Sequence, residues 1–321
     1  MVIDVRETSE ILKKAQNVLI ISHKNPDGDT LGSAYALYYG LVSLGKKATI
    51  VCSDERPTKF DFYTNEHTKK SLLEIPDEDF DLIVAVDVAD QALFGEVTVK
   101  YSKMIDLCID HHPSNKLFAE KTCLIPTASA TCEIMYDVLT EMNATIDILC
   151  ANCIYGGIAT DTGCFKFSNT TSKTHYIAAK LIDIGCDYAT INREMFEKKS
   201  RARILLEQHV LNSMEFHFDC KCAIVEVSIN LMKKLNAKDE EFDGVSAIPR
   251  QIEGVYVGVT LKEIEDGYKI SVRTNQHIDA CAICQNFGGG GHLRAAGCVI
   301  KGDFPTVKAQ ILEKVKEALA K

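Results

Sequence analysis

The sequence predicts a mixed α/β fold: an N-terminal doubly wound parallel sheet followed by a smaller C-terminal α/β domain. Three observations predict it. Short continuous apolar runs alternate with helical patterns through the first half, as in parallel strands covered on both faces. The last third changes to strands that alternate apolar and polar residues around a tight turn. At 321 residues the chain is long enough for two cores.

The elements follow in order. Residues 17–22, Asn-Val-Leu-Ile-Ile-Ser, read as a buried strand, and 30–44 as the helix after it. Residues 47–52, 81–87 and 104–110 read as three further strands. A helix is expected over 146–159, leading to Asp161-Thr162-Gly163, and another over 173–184, ended by Gly185. The charged stretch 186–211 reads as a linker helix, which divides the chain into 1–185, 186–211 and 212–321. Beyond it, 222–227 is a strand, and 255–262 and 268–273 pair around Glu265-Asp266-Gly267. A helix over 278–286, a glycine run, a short strand around 298–300 and a final helix from Pro305 complete the chain.

Composition narrows the function classes. Hydrophobic residues make up 46% and charged residues 25%, as in ordinary soluble proteins. No run of about 18 apolar residues is present, so a membrane span is not expected. The first residues lack a basic-then-apolar signal pattern, and the protein reads as cytoplasmic. The net charge of -9 argues against tracking a long duplex, which is gripped by many Lys and Arg. A small phosphorylated substrate fits better. Thirteen cysteines, an odd number, suit a reducing compartment. The C-x-x-C pairs Cys150/Cys153 and Cys281/Cys284 lie in apolar helical stretches and read as buried thiols.

The chemistry gathers at strand ends. His23-Lys24-Asn25-Pro26-Asp27-Gly28-Asp29 follows the first strand, Asp87 ends another, and Asp110-His111-His112 end a third. Ligands of open parallel sheets bind at the C-terminal strand edge. Carboxylates and imidazoles crowded there need something positive between them. Two divalent ions sharing one carboxylate, as in phosphate-ester hydrolysis, meet that need. The candidate ligands are His23, Asp27, Asp29, Asp87, His111 and Asp161. Oxygen with some imidazole suits Mn²⁺ or Mg²⁺, with Fe²⁺ or Co²⁺ also compatible. Further on, Gly288-Gly289-Gly290-Gly291-His292-Leu293-Arg294 is expected to form a loop whose exposed amides, with His292, Arg294 and Arg273, bind a phosphate.

These motifs together resemble the DHH phosphoesterases, named for the triplet seen here as Asp110-His111-His112. His23 to Asp29, Asp87 and Asp161-Thr162-Gly163 look like the family's other catalytic motifs, and the glycine run through Gly297 looks like its DHH-associated C-terminal domain. The resemblance covers nearly the whole chain. It implies an active site in the cleft between a catalytic domain and a substrate-binding domain, with two Mn²⁺-type ions. His23, Asp27 and Asp87 would hold one ion, and Asp29, Asp87, His111 and Asp161 the other. Asp110 would orient a histidine, and His112 would contact the scissile phosphate. Gly289, Gly290, Gly291, His292, Arg273 and Arg294 would grip a second phosphate. Within the family the match is to oligoribonucleases of very short RNA that also act on 3'-phosphoadenosine 5'-phosphate (pAp). Hydrolysis of cyclic di-AMP or linear pApA is the alternative. A pyrophosphatase, a longer-tract exonuclease and a non-catalytic nucleotide sensor fit less well, and a homodimer is compatible with the sequence.

Overall fold

The computed structural model describes residues 1–321 except 243, 276 and 321, and except the side chains of Glu240 and His292. It divides into two compact units, Met1–Lys198 and Lys199–Lys321.

The first unit is built on six strands: β1 Val2–Ile3, β2 Asn17–Ile21, β3 Lys47–Val51, β4 Leu82–Val86, β5 Leu107–Asp110 and β6 Lys121–Leu124. All neighbours are parallel, in the order β1-β6-β5-β4-β2-β3. The central strands are Val/Ile-rich, and β4 is buried along its whole length, as expected for strands covered on two faces. The coverings differ. Helices α1 Val5–Lys14, α2 Gly28–Ser43, α3 Thr131–Met142, α4 Ile148–Asp161 and α5 Ser172–Ile184 contribute to the core that includes Val18, Ile20, Val84 and Ile109. The opposite face, Leu19, Ile21, Ile83 and Ala85, is covered by Leu93, Phe94, Val97 and Tyr101 from short 3-10 turns and loops. Helices α1 and α3 were not anticipated from the sequence; α2 and α4 were.

Glycines set the spacing of α2 against α4. A Cβ on Gly32 would lie 2.6 Å from the carbonyl oxygen of Cys153, and one on Gly157 would lie 2.2 Å from Cys132 Sγ and 2.9 Å from Asp29 Oδ1. The two helices therefore approach closely and bring the starts of α2 and α3 to the end of α4.

The segment 186–211 is not one linker helix. A short helix, α6 Tyr188–Asn192, runs into a π-helical turn at Arg193–Glu197, and a new helix, α7 Arg201–Ser213, starts afterwards. Lys198 N–H closes onto Arg193 O, and Ser200 caps α7 by accepting from Arg203 N–H, so capping chemistry ends one helix and begins the next.

The second unit carries a mixed sheet of β7 Glu215–His217, β8 Cys222–Val227, β9 Val257–Ile264, β10 Gly267–Thr274, β11 Gly290–His292 and β12 Ala295–Lys301. Its order is β11-β12-β10-β9-β8-β7, antiparallel except for the β8–β9 pair. Helices α10 Ala280–Gln285 and α11 Phe304–Leu319 cover one face. The other face packs on α7, on α8 Ile229–Leu235, on α9 Asp239–Phe242 and on a 3-10 segment, Val245–Gln251. Part of the glycine run, expected as a loop, is strand β11. Cys150, Cys153 and Cys284 are buried free thiols, Cys281 is half-buried, and all thirteen cysteines are unpaired. Among the described residues no helix is long and apolar enough to cross a membrane.

Candidate metal centre

The strand ends of the first sheet deliver the expected residues to one place. His23 lies two residues past β2. Its Nδ1 bonds the Lys24 carbonyl oxygen at 2.8 Å. That bond commits Nδ1 as the donor and leaves Nε2 to face Asp27 Oδ1 at 3.7 Å and Asp87 Oδ2 at 3.8 Å. His111, past β5, repeats the device. Its Nδ1 bonds the Ala128 carbonyl oxygen at 3.2 Å. Its Nε2 lies 3.2 Å from Asp161 Oδ2, 3.9 Å from Asp87 Oδ1 and 4.0 Å from Asp29 Oδ2.

Asp87 is the hub. It follows β4 with φ 58° and is 2% exposed. Its N–H donates to Ile109 O at 2.9 Å, which ties the strained residue to β5. Asp29 is fully buried in the first turn of α2. It accepts from Thr131 N–H at 2.6 Å and Cys132 N–H at 2.9 Å, the opening amides of α3. A carboxylate there satisfies unpaired donors and meets the positive end of the helix dipole. The Thr131 hydroxyl donates to Asp87 Oδ1 at 2.8 Å. Asp27 caps α2 through Asp29 and Thr30 N–H, and Asp161 is the last residue of α4.

Asp110 behaves differently. Its Oδ1 meets His112 Nδ1 at 2.8 Å and accepts from the backbone N–H of His111 and His112. Asn115 Nδ2 donates to its Oδ2. The His112 ring, 43% exposed, is thus oriented through Nδ1 with Nε2 uncommitted.

Electrostatics mark this as a crowded site. Burial would lower the His23 imidazole, but the facing Asp27 carboxylate pushes it up to about 9. His111 is opposed by burial too, yet Asp161 and the charge of Asp29 push it up to about 10. Burial and then the charge of Asp161 push the Asp29 carboxyl up to about 7. Burial and then Asp29 hold Asp87 well above the carboxylate range. Asp110 goes the other way: burial opposes it, but the His112 bond holds it down.

The residues fit divalent metal. Three overlapping groups, His23/Asp27/Asp87, Asp29/His111/Asp161 and Asp87/His111/His112, each place ligand atoms within 4.8 Å of one another. His111 Nε2 is buried and makes no aligned hydrogen bond. A ring nitrogen aimed among carboxylates is what a cation completes once it displaces the ring proton. His112 Nδ1 is already engaged by Asp110, so His112 is the weakest ligand of the three groups.

Residues 17–158 match the model for the DHH family, N-terminal domain, and 221–321 match the DHHA1 domain. The bifunctional oligoribonuclease and PAP phosphatase NrnA of Thermus thermophilus is 32% identical over 320 residues, covering 99% of this chain and 95% of that protein. The chain belongs to the DHH family. The NrnA of Bacillus subtilis, another relative, is 23% identical, covering 88% of this chain and 89% of its own. An exopolyphosphatase-related protein of Bacteroides fragilis shares the fold, with a TM-score of 0.87, 24% identity and coverage of 98% and 95%.

The second unit of this DHH protein holds the other expected site residues. Arg273 on β10 is half-buried, and its Nη1 donates to Val272 O. Arg294 is exposed and donates from Nη1 to Ile278 O at 2.7 Å. The glycine run departs from expectation. Gly288 and Gly289 N–H donate to Gln285 O and Cys284 O, so those amides are not free for an anion. A Cβ on Gly289 would lie 2.2 Å from Gly297 O, and one on Gly291 2.6 Å from Ala295 O. These glycines let the chain approach itself. Only Gly290 of this strand faces open space. The side chain of His292 lies outside the described residues. Sequence reasoning missed Thr131, Cys132, Asn115 and Ala128, which act through amides, a hydroxyl and a carbonyl. Thr131 and Glu133 opening an apolar periodic run were the available signal.

Proposed function

We propose that this DHH-family hydrolase cleaves short oligoribonucleotides to mononucleotides and removes the 3'-phosphate of pAp, with two divalent ions, Mn²⁺ foremost. The observation that carries this is the sharing of Asp87. One buried carboxylate lies within 3.8 Å of His23 and 3.9 Å of His111, the two histidines that present Nε2. His23, Asp27 and Asp87 would hold one ion; Asp29, Asp87, His111 and Asp161 would hold the other. When bound, the ions supply Lewis acidity at the phosphoryl oxygens and a nucleophile at neutral pH.

The chain's own groups do the positioning. Asp110 fixes His112 through Nδ1, so that Nε2–H is directed by a held ring and can donate to the scissile phosphate. Thr131 and the α3 amides keep Asp87 and Asp29 in place. Arg273 and Arg294 would grip a second phosphate, so a substrate that carries two phosphates is favoured. The name of the Thermus relative, matched over nearly its full length, supports this substrate class. The same reading places the protein in the cytoplasm.

Product analysis of the Mn²⁺-loaded enzyme on di- to pentaribonucleotides, pAp, pApA, cyclic di-AMP and pyrophosphate tests it. Fast turnover of the short RNAs and pAp is expected. Preference for cyclic di-AMP would replace the substrate assignment, and activity confined to pyrophosphate would overturn the nucleotide reading.

A further inference from the structure

Arg250 lies in the 3-10 segment Val245–Gln251, outside every motif noted above. Its backbone N would be 2.6 Å from a Cβ on Gly258, so glycine is what lets the segment seat there. Gly258 is the cross-strand partner of Arg273 on β10, and Ala295 is the partner on the other side. Arg273 therefore stands between a glycine and an alanine, its two cross-strand partners. The same row continues at the backbone to His292 on β11. The next row on the same face of the sheet is Thr260, Ser271, Gly297 and Gly290, again small.

Arg250 is held in this place by Asn275, two residues beyond Arg273. Its Nη1 donates to Asn275 Oδ1 at 3.1 Å, and Asn275 Nδ2 donates back to Arg250 O at 3.1 Å. Its Nε is buried without a hydrogen-bond partner. Among the described residues no carboxylate lies within ion-pair distance of Arg250 or Arg273; the ion pairs of this unit fall elsewhere, on residues such as Lys199, Arg203, Lys262 and Lys308. Burial, and after it the charge of Arg250, lowers the Arg273 guanidinium. Two neighbouring cations without a counter-ion, over a floor of small residues, call for an anion.

We propose that Arg250 is a third arginine in the grip on the second phosphate, beside Arg273 and Arg294, and that the Arg250–Arg273 pair selects a terminal phosphate monoester over an internal diester. The charge decides between them. A monoester carries about -1.5 to -2 at neutral pH, with three strong acceptor oxygens. A diester carries about half that charge and fewer free oxygens. Two guanidinium forks match the monoester. This rests on the nucleotide reading above, since it names which nucleotides the same enzyme prefers: those with a 5'-phosphate.

The test is the ratio of kcat/KM for pApA to that for ApA, in wild type, Arg250→Gln and Arg250→Lys, each checked for native circular dichroism and Tm. Arg250→Gln should lower the ratio about tenfold or more, through KM for pApA rather than kcat. Arg250→Lys should restore part of it, because it keeps charge but loses the fork. An unchanged ratio in Arg250→Gln overturns the proposal, and so does a fall carried by kcat. If wild type turns over neither dinucleotide, the nucleotide reading has failed. The arginine pair is then judged by calorimetric titration of the full chain with AMP and with ApA. Weaker AMP binding in Arg250→Gln, with the AMP preference reduced, sustains it; equal AMP binding in both proteins refutes it.

Discussion

Asp87 holds a left-handed backbone, a buried charge and a place between two histidines at once. Asparagine tolerates that backbone and can still accept from Thr131. Replacement by Asn therefore separates charge from shape. Turnover should fall to background in Asp87→Asn. Stability of the metal-free protein should rise. The carboxyl is raised in the fold, so its ionisation penalty is absent below the ordinary carboxylate range and grows as pH rises above it. In chelator, the Tm of Asp87→Asn should exceed wild type at neutral pH, with the gap closing as pH falls. A lower Tm at neutral pH would mean the buried charge is not the liability argued here. Thr131→Val removes the hydroxyl on Asp87 and should weaken metal binding about 10–100-fold, read by titration with Mn²⁺.

At the scale of elements, the α2–α4 contact sets the geometry of the ligands. Gly157→Ala drives a methyl against Cys132 Sγ and Asp29 Oδ1. We expect it to destabilise the protein by about 1–3 kcal/mol and to impair metal binding; a silent substitution in denaturant melts would show the helices free to part. Strands β2 to β5, β8 to β10 and β12, with α2 and α4, were legible because apolar runs and helical spacing declare themselves, whereas the short strands β1, β6 and β7 give no such run. The candidate ligands were legible as a group because His23, Asp27, Asp29, Asp87 and His111 follow strand ends, while Asp161 closes α4. Helix α3 was missed although Thr131 and Glu133 open an apolar periodic run, and the role of its opening amides on Asp29 was hidden because a backbone donor leaves no trace in side-chain pattern. The glycine run misled for a related reason. Its missing side chains accommodate Gly297 and Ala295 of β12, and only a partner strand reveals which approach the glycines serve. Arg250 was invisible because a 3-10 segment has no period that aligns it with Arg273.

For the whole molecule, metal, protons and salt are linked. His23 at about 9 and His111 at about 10 hold protons that an ion must displace. Their raised values mean that protons compete through the neutral range, so affinity for Mn²⁺ should climb as pH rises. Calorimetry in buffers of different ionisation enthalpy should register proton release near neutral pH, and no release would contradict the charged state described. A grip on only a few phosphates also fixes the salt response. The slope of log(kcat/KM) against log(salt) should be about -1 to -2 for short RNA, from about 0.7 per phosphate. A much steeper slope would indicate a long nucleic-acid track, against the net charge of -9.

Two α3 amides clamp Asp29, and the Thr131 hydroxyl clamps Asp87, so both carboxylates are held by donors of the fold itself. Carboxylates fixed by amide and hydroxyl donors need no arranging by an incoming ion. Activation by added Mn²⁺ should then be a simple encounter, with no slow isomerisation in its time course. In stopped-flow mixing, the observed rate should climb in proportion to ion concentration, and a plateau would reveal a rearrangement that the clamped carboxylates leave no need for.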